Sequence, residues 1–390
     1  MSQNQISFDN TAIAFQSKNN GELKQAYFLF KMMNNPSLVK IGTHAASLAL
    51  NLHLPIKGLI RKTIFKQFCG GESVELAMPT VNHLLQYKVE SILDYAVEAK
   101  SSEKEFDHTR EELIRIIHLA ADRKIGFISV KVTGLARFEL LEKLQAKQTL
   151  NTTEQEEFRR VSDRLREVCQ AGATKNVAIL IDAEESWIQD PVDALVNKMI
   201  MAFNKEKPVV YNTLQMYRHD RLQYLMQTMP IMKEAGVIYA LKLVRGAYME
   251  KERARATQMG YPSPIQPDKQ TCDKDFDAAV TMCIENYQHM AIFCASHNEQ
   301  SAKSAASLMK LLNIPANHPH IYFSQLFGMS DHITFNLANG GYNTAKYLPF
   351  GPVKDVMPYL IRRAQENTSI SGQMSRELKL ISEEKKRRGI

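Results

Sequence analysis

The chain has 390 residues, 44% of them hydrophobic and 23% charged, with a formal net charge of +7. These proportions exclude wholesale disorder, collagen-like repeats and low complexity, and the length suits a barrel with an appendage or two to three smaller domains. The five cysteines (Cys69, Cys169, Cys272, Cys283, Cys294) form no C-x-x-C pair, which argues against a zinc ribbon or a disulfide framework and for a reducing, cytoplasmic location.

The opening MSQNQISFDN is polar, so no signal peptide is expected. Residues 1–85 are predicted to form an N-terminal helical region. Between Leu23 and Gly71 there is no Asp or Glu, yet Lys24, Lys31, Lys40, Lys57, Arg61, Lys62 and Lys66 all fall there. Apolar residues recur at helical spacing in the same window, as in IKGLIRKTIFKQF. The segment is either a helical arm packed on the main domain with its lysines in water, or a basic amphipathic surface for peripheral contact with an anionic inner membrane. No nucleic-acid-binding motif accompanies the charge, so no nucleic acid is expected as a partner. The apolar stretch from Ile41 to Ile56 is too short, and too interrupted by His44, Asn51, His53 and Pro55, to span a bilayer.

Eight short apolar runs follow: VESILDYAV, IGFISVKVT, NVAILIDAE, PVVYNTLQ, IYALKLVRG, MAIFCASH, IYFSQLFG and AKYLPFG. Most are apolar throughout, as expected of parallel strands covered by helices. Amphipathic helical patterns fill most of the gaps, among them TREELIRIIHLAADRK, EEFRRVSDRLREVCQ and DALVNKMIMAF. Residues 86–390 are therefore predicted to form a distorted (β/α)8 TIM-type barrel, an α/β fold of about 250 residues, closed by a C-terminal helix. A doubly wound open sheet is the runner-up, but it would require a G-x-G-x-x-G or P-loop that is absent.

Barrel enzymes carry their chemistry at the C-terminal ends of the strands. Here those ends bear Asp94, Lys131, Asp182, Gln215, Lys242 with Arg245, Ser296-His297-Asn298, Gln325-Leu326 and Tyr347. Buried polar groups in such number call for a polar ligand. Each also has a plainer role open to it: Lys131 can pair with Asp182, His297 can cap the next helix, and Gln215 can satisfy backbone groups. Glu184 and Glu185 are expected to be solvated or helix-capping.

After the eighth run, FGPVKDVMPYLIRRAQENTS reads as a helix capped by Asp355, with Pro358 in its first turn. Tyr359, Arg362, Arg363 and Glu366 then share one face. Paired guanidinium groups on a barrel-top helix suit a carboxylate; a salt-bridged surface helix is the alternative. No H-E-x-x-H, clustered His or Asp ladder points to a metal, and none is expected.

At these positions the sequence closely resembles the proline dehydrogenase family of FAD-dependent barrel enzymes. The segments that carry the resemblance are CGGES, ILDYAVE, SVKVTGL, LIDAEE, NTLQMY, LKLVRGAYMEKER, ASHNEQS, FSQLFGMSDH and KYLPFGPVKDVMPYLIRRAQEN, across about residues 65–370. The resemblance implies oxidation of L-proline to Δ1-pyrroline-5-carboxylate by hydride transfer to flavin N5, with electrons passed to a quinone-type acceptor. Arg362, Arg363 and Lys131 would hold the substrate carboxylate, Tyr347, Tyr359 and Leu326 would wall in the ring, and Glu366 would support the arginines. Asp182, Ala183, Gln215, Lys242, Val244, Arg245, Gly246, Ala247, Ser296, His297 and Asn298 would contact FAD, with Asp182, Lys242, Arg245 and Tyr347 nearest the chemistry. Bacterial relatives often carry Arg where Lys242 stands and Lys where Arg245 stands, which leaves open which cation lies nearer N5. Hydroxyproline-oxidising relatives tend to lack a tyrosine where Tyr347 stands. Two other readings remain open: a Schiff-base lyase using Lys131 or Lys242, and a catalytically inert barrel that acts as a binder.

Overall fold

The computed structural model describes residues 6–35, 37–43, 57–96, 100–369 and 373–390, with side chains described for all of these except 365–369, 373 and 374. Eight parallel strands follow one another around a closed barrel in chain order. They are β1 (Val89–Tyr95), β2 (Phe127–Val130), β3 (Ala178–Ile181), β4 (Val210–Gln215), β5 (Tyr239–Val244), β6 (Met290–Ala295), β7 (Ile321–Leu326) and β8 (Thr344–Phe350). Every expected apolar run holds one of them, and closure rules out the open sheet.

Local chemistry marks several helix starts. Asn19 with Glu22, Ser102 with Glu105 and Asn151 with Glu154 each form a reciprocal capping box, heading the helices Asn20–Met33, Glu103–Asp122 and Thr152–Lys175. Each satisfies amide donors that a helix start otherwise leaves without partners.

The chain divides into two compact units. One comprises Glu98–Ser296 and Gln300–Tyr322 and contains β2 to β6. Its interior holds an aromatic layer: the Phe127 ring lies 5.0 Å from Phe293 and 4.9 Å from Tyr322, and Tyr211 lies 5.3 Å from Phe293. These rings come from strands that are not neighbours, so they meet through the barrel interior. Strand alternation then turns Ser129 and Lys131 inward with Phe127.

The other unit comprises Met1–Val97, His297–Glu299 and Phe323–Ile390. It contains β1, β8, Phe323–Leu326 of β7, the helices before β1 and the three helices Asp331–Asn339, Val353–Ser369 and Gln373–Arg388. Its main core buries Phe15, Leu23, Phe30, Phe68, Leu360, Leu380 and Ile381. Each such side chain contributes about 1.5–3 kcal/mol on removal from water. Register sets Tyr347 of β8 beside Ile92 of β1 and Leu326 of β7.

Two helices, Met249–Met259 and Asp331–Asn339, stand where no helix was expected. The helix after β8 begins at Val353, earlier than its sequence suggests. Asp355 is therefore not its cap but lies in the first turn, its N–H donating to the Pro352 carbonyl at 2.9 Å. Pro358 falls past the first turn, inside the helix.

All seven basic residues between Leu23 and Gly71 are exposed, and Arg61 pairs with Glu72. Most of the Ile41–Ile56 stretch lies outside the described residues. Among the described residues no helix is long and apolar enough to cross a membrane. All five cysteines are buried free thiols.

Candidate active site

The register of β2 against β3 pairs Val130 with Ile181 and so brings Lys131 level with Asp182. The Lys131 ammonium donates to Asp182 Oδ2 at 3.2 Å, and the Ser129 hydroxyl donates to Oδ1 at 2.6 Å. Lys242, from β5, reaches the same Oδ1. One carboxylate thus gathers two ammonium groups. Burial alone would push Asp182 up, but Lys242 and Lys131 outweigh it and hold the carboxyl well below the usual carboxylate range. Ala183 beside it is buried.

Glu184 corrects an expectation: it is buried, not solvated. It accepts the Thr133 hydroxyl at 2.6 Å and the Thr133 N–H at 3.2 Å, and burial pushes it up to about 7 despite these bonds and Lys131. Glu185 does stand at the N-cap of the helix Ser186–Phe203, but its side chain makes no capping bond and pairs with Lys251.

Past β5, Arg245 is held on three sides. Nε donates to Asp273 at 2.6 Å, one terminal nitrogen to Ser296 Oγ at 2.6 Å and the other to Ser301 Oγ at 2.9 Å, with the guanidinium 4.3 Å above the Phe276 ring. Val244 pairs with Gln215 across β4 and β5. Gln215 is buried, and among the described residues no hydrogen-bond donor reaches its Oε1. Gly246 has φ +127°, and a Cβ there would sit 2.6 Å from the Tyr217 ring. Only glycine tolerates both; Gly246 and Ala247 are exposed.

The second unit holds the remaining candidates. Leu326, the last residue of β7, pairs with Tyr347, which lies in the middle of β8 and not at its end as its sequence suggests; both are half-buried. On the helix after β8, Arg363 is buried with its guanidinium 5.1 Å from the Tyr359 ring centroid, while Arg362 is half-buried. The side chain of Glu366 lies outside the described ones. Asn298 is half-buried, and the His297 ring nitrogen Nδ1 lies 2.9 Å from Ser330 Oγ.

Three buried charges here were not singled out from the sequence. Asp331 binds Lys346 at 2.8 Å and Lys18 at 3.2 Å, and Glu377 accepts the Ser330 N–H at 3.0 Å. Burial opposes ionisation of Asp331, yet Lys346 and Lys18 hold it at about 2. Among the described residues no group of His, Cys, Asp or Glu could hold a metal ion.

Parallel strands that end in ammonium, guanidinium and carboxylate groups define a (β/α)8-barrel enzyme. The chain belongs to the proline dehydrogenase family, a family of oxidoreductases, whose model matches residues 77–376. It is 31% identical to proline dehydrogenase 1, mitochondrial, of Dictyostelium discoideum, over 99% of this chain and 75% of that protein. It is 29% identical to the hydroxyproline dehydrogenase of Xenopus laevis, over 99% of this chain and 91% of that protein. Among solved structures it resembles proline utilization A from Bdellovibrio bacteriovorus inactivated by N-propargylglycine, with a TM-score of 0.73 and 23% identity. That match covers 94% of this chain but only 37% of the longer protein, and it shows the fold.

Proposed function

We propose that the protein oxidises L-proline to Δ1-pyrroline-5-carboxylate with bound FAD and passes the electrons to a quinone-type acceptor. The observation that carries this reading is the buried Arg363 guanidinium beside Tyr359, on a helix that the family match spans. A planar fork of N–H donors on a helix that follows the last barrel strand suits a carboxylate.

The residues present fit a flavin. Gln215 Oε1 is a buried acceptor that meets no donor, suited to a ring N–H. Gly246 turns the chain past Lys242 and Arg245 with a φ of +127°, where a Cβ would run into the Tyr217 ring. Lys242, Arg245, Ser296, His297 and Asn298 would hold the cofactor, which when bound accepts the hydride from the ring carbon next to nitrogen.

This chain's residues do the rest. Arg362, Arg363 and Lys131 bind the substrate carboxylate, Leu326, Tyr347 and Tyr359 enclose the ring and keep water from it, and Glu366 supports the arginines. Lys131 and Lys242 disfavour a third ammonium, so the substrate amine gives its proton up to solvent on binding, and its lone pair assists departure of the hydride. Asp182 engages the side-chain nitrogens of both Lys131 and Lys242, which argues against either standing as the open nucleophile a Schiff-base lyase requires. Tyr347 favours proline over hydroxyproline, although relatives bear both names.

Exposed Phe28, Met32, Leu38, Ile41 and Leu59 lie among the exposed basic residues of the N-terminal segment. Apolar groups interspersed with cations suit peripheral contact with an anionic bilayer, where a quinone would reside. This agrees with a cytoplasmic protein that docks on the inner membrane.

A visible spectrum of the purified protein tests the main reading. Flavin bands that bleach on anaerobic addition of proline are expected; a colourless protein that binds no added FAD refutes it.

A further inference from the structure

Ser330 occupies an unusual position. It is buried and has φ +51° and ψ +43°, a left-handed conformation that side-chain-bearing residues rarely adopt. It stands at the N-cap of the helix Asp331–Asn339, where a serine side chain ordinarily caps its own helix. Here it makes no capping bond, and its hydroxyl instead meets His297 Nδ1 at 2.9 Å.

The surroundings hold it there. Glu377, from the helix Gln373–Arg388, accepts the Ser330 N–H at 3.0 Å. Lys346 donates to the Met329 carbonyl at 2.5 Å and pairs with Asp331, which also takes Lys18. Two residues along the chain from His297, Glu299 accepts from Arg376 at 2.8 Å and lies 3.1 Å from His332 Nε2. Two consecutive residues of one helix thus bind the segment around His297: Arg376 holds Glu299, two residues along the chain, and Glu377 holds Ser330, which meets the His297 ring.

We propose that Glu377 is a positioning residue that fixes the imidazole plane of His297 by holding Ser330 in its left-handed conformation. The last helix of the chain thereby sets the geometry of a flavin contact that it does not itself make. The inference rests on the reading of His297 as a flavin ligand, so its test has one arm independent of flavin.

The full-length protein, labelled with 15N at histidine, is compared as wild type, Glu377→Ala and Ser330→Gly, with and without FAD. Glu377→Ala is expected to move the His297 ring 15N resonances in the flavin-free protein and to weaken FAD binding about tenfold. His297→Ala should weaken FAD binding by a similar factor, and adding Glu377→Ala to it should produce little further loss, since positions acting through one group are not additive. Ser330→Gly relieves the left-handed strain while deleting the hydroxyl. It should leave the melting temperature equal or higher while still moving the His297 resonances, which a merely structural role would not do. It also keeps the test intact if Glu377→Ala fails to fold. Unmoved His297 resonances in Ser330→Gly overturn the proposal. Resonances that move in both variants, with FAD affinity indifferent to His297→Ala, uphold the positioning and refute the flavin contact.

Discussion

The Thr133 hydroxyl donates to the buried carboxyl group of Glu184 at 2.6 Å, two residues beyond the carboxylate that pairs with Lys131 and Lys242. Burial pushes Glu184 up to about 7, whereas in an unfolded chain it would titrate near its ordinary value. The folded state therefore holds a proton that the unfolded state releases first. The associated stability is complete below the ordinary value and is lost as pH rises through about 7. Glu184→Gln, neutral at every pH, should become more stable relative to wild type by on the order of 2–3 kcal/mol between about pH 5 and about pH 8. Urea unfolding across that range checks this, and parallel curves for the two proteins would refute it.

Asp182 behaves in the opposite sense. Its carboxyl is held low by the two ammonium groups, so its contribution is present above the ordinary carboxylate range and is lost on acidification. Asp182→Asn leaves both lysines with their shared anion removed. Breaking a buried pair in this way costs about 3–5 kcal/mol. A melting temperature within a degree or two of wild type would show that the lysines find other partners at no cost.

Truncating either arginine should separate substrate binding from cofactor binding. Arg362→Ala is expected to raise KM for proline by about 10- to 150-fold, the equivalent of about 1.5–3 kcal/mol for a charged hydrogen bond, with the flavin-to-protein ratio unchanged. Arg363→Ala should do the same and also lower stability, because Arg363 is buried against Tyr359. An unaltered KM in both would remove the carboxylate assignment.

Tyr347→Ser should erode discrimination between proline and hydroxyproline. The check is the ratio of kcat/KM for the two substrates. A ratio identical to wild type would mean that the tyrosine does not read the ring.

Neutralising Lys24, Lys31, Lys57 and Lys62 to Gln should abolish co-sedimentation with vesicles containing phosphatidylglycerol at low salt, while activity with a soluble dye acceptor stays constant. Wild-type protein that fails to sediment with such vesicles would end the membrane reading.

How much of this was readable beforehand follows from strand parity. Lys131 and Asp182 could be singled out because each stands one residue past an apolar run and their pairing needs only neighbouring strands. Glu184 was misread because an adjacent Glu185 makes the pair look solvated, although alternation past the end of β3 returns residue 184 to the same side as 182. Lys346 was hidden for a different reason. Its counter-ion Asp331 heads a helix, DHITFNLAN, that is buried nearly throughout and so shows no amphipathic stripe. The start of the helix after β8 was placed late because a proline was assigned to the first turn, when this helix carries Pro358 in its interior.

The helices Asn20–Met33 and Gln373–Arg388 share one core, and Arg388 donates to the carbonyls of Phe15 and Lys18 at 2.8 Å and 2.7 Å. Translation at about 5–20 residues per second separates their emergence by on the order of tens of seconds. Throughout that interval Leu23 and Phe30 lack the part of their core that Leu380 and Ile381 supply. The cover of the helix Asn20–Met33 is therefore completed only once Gln373–Arg388 has been made.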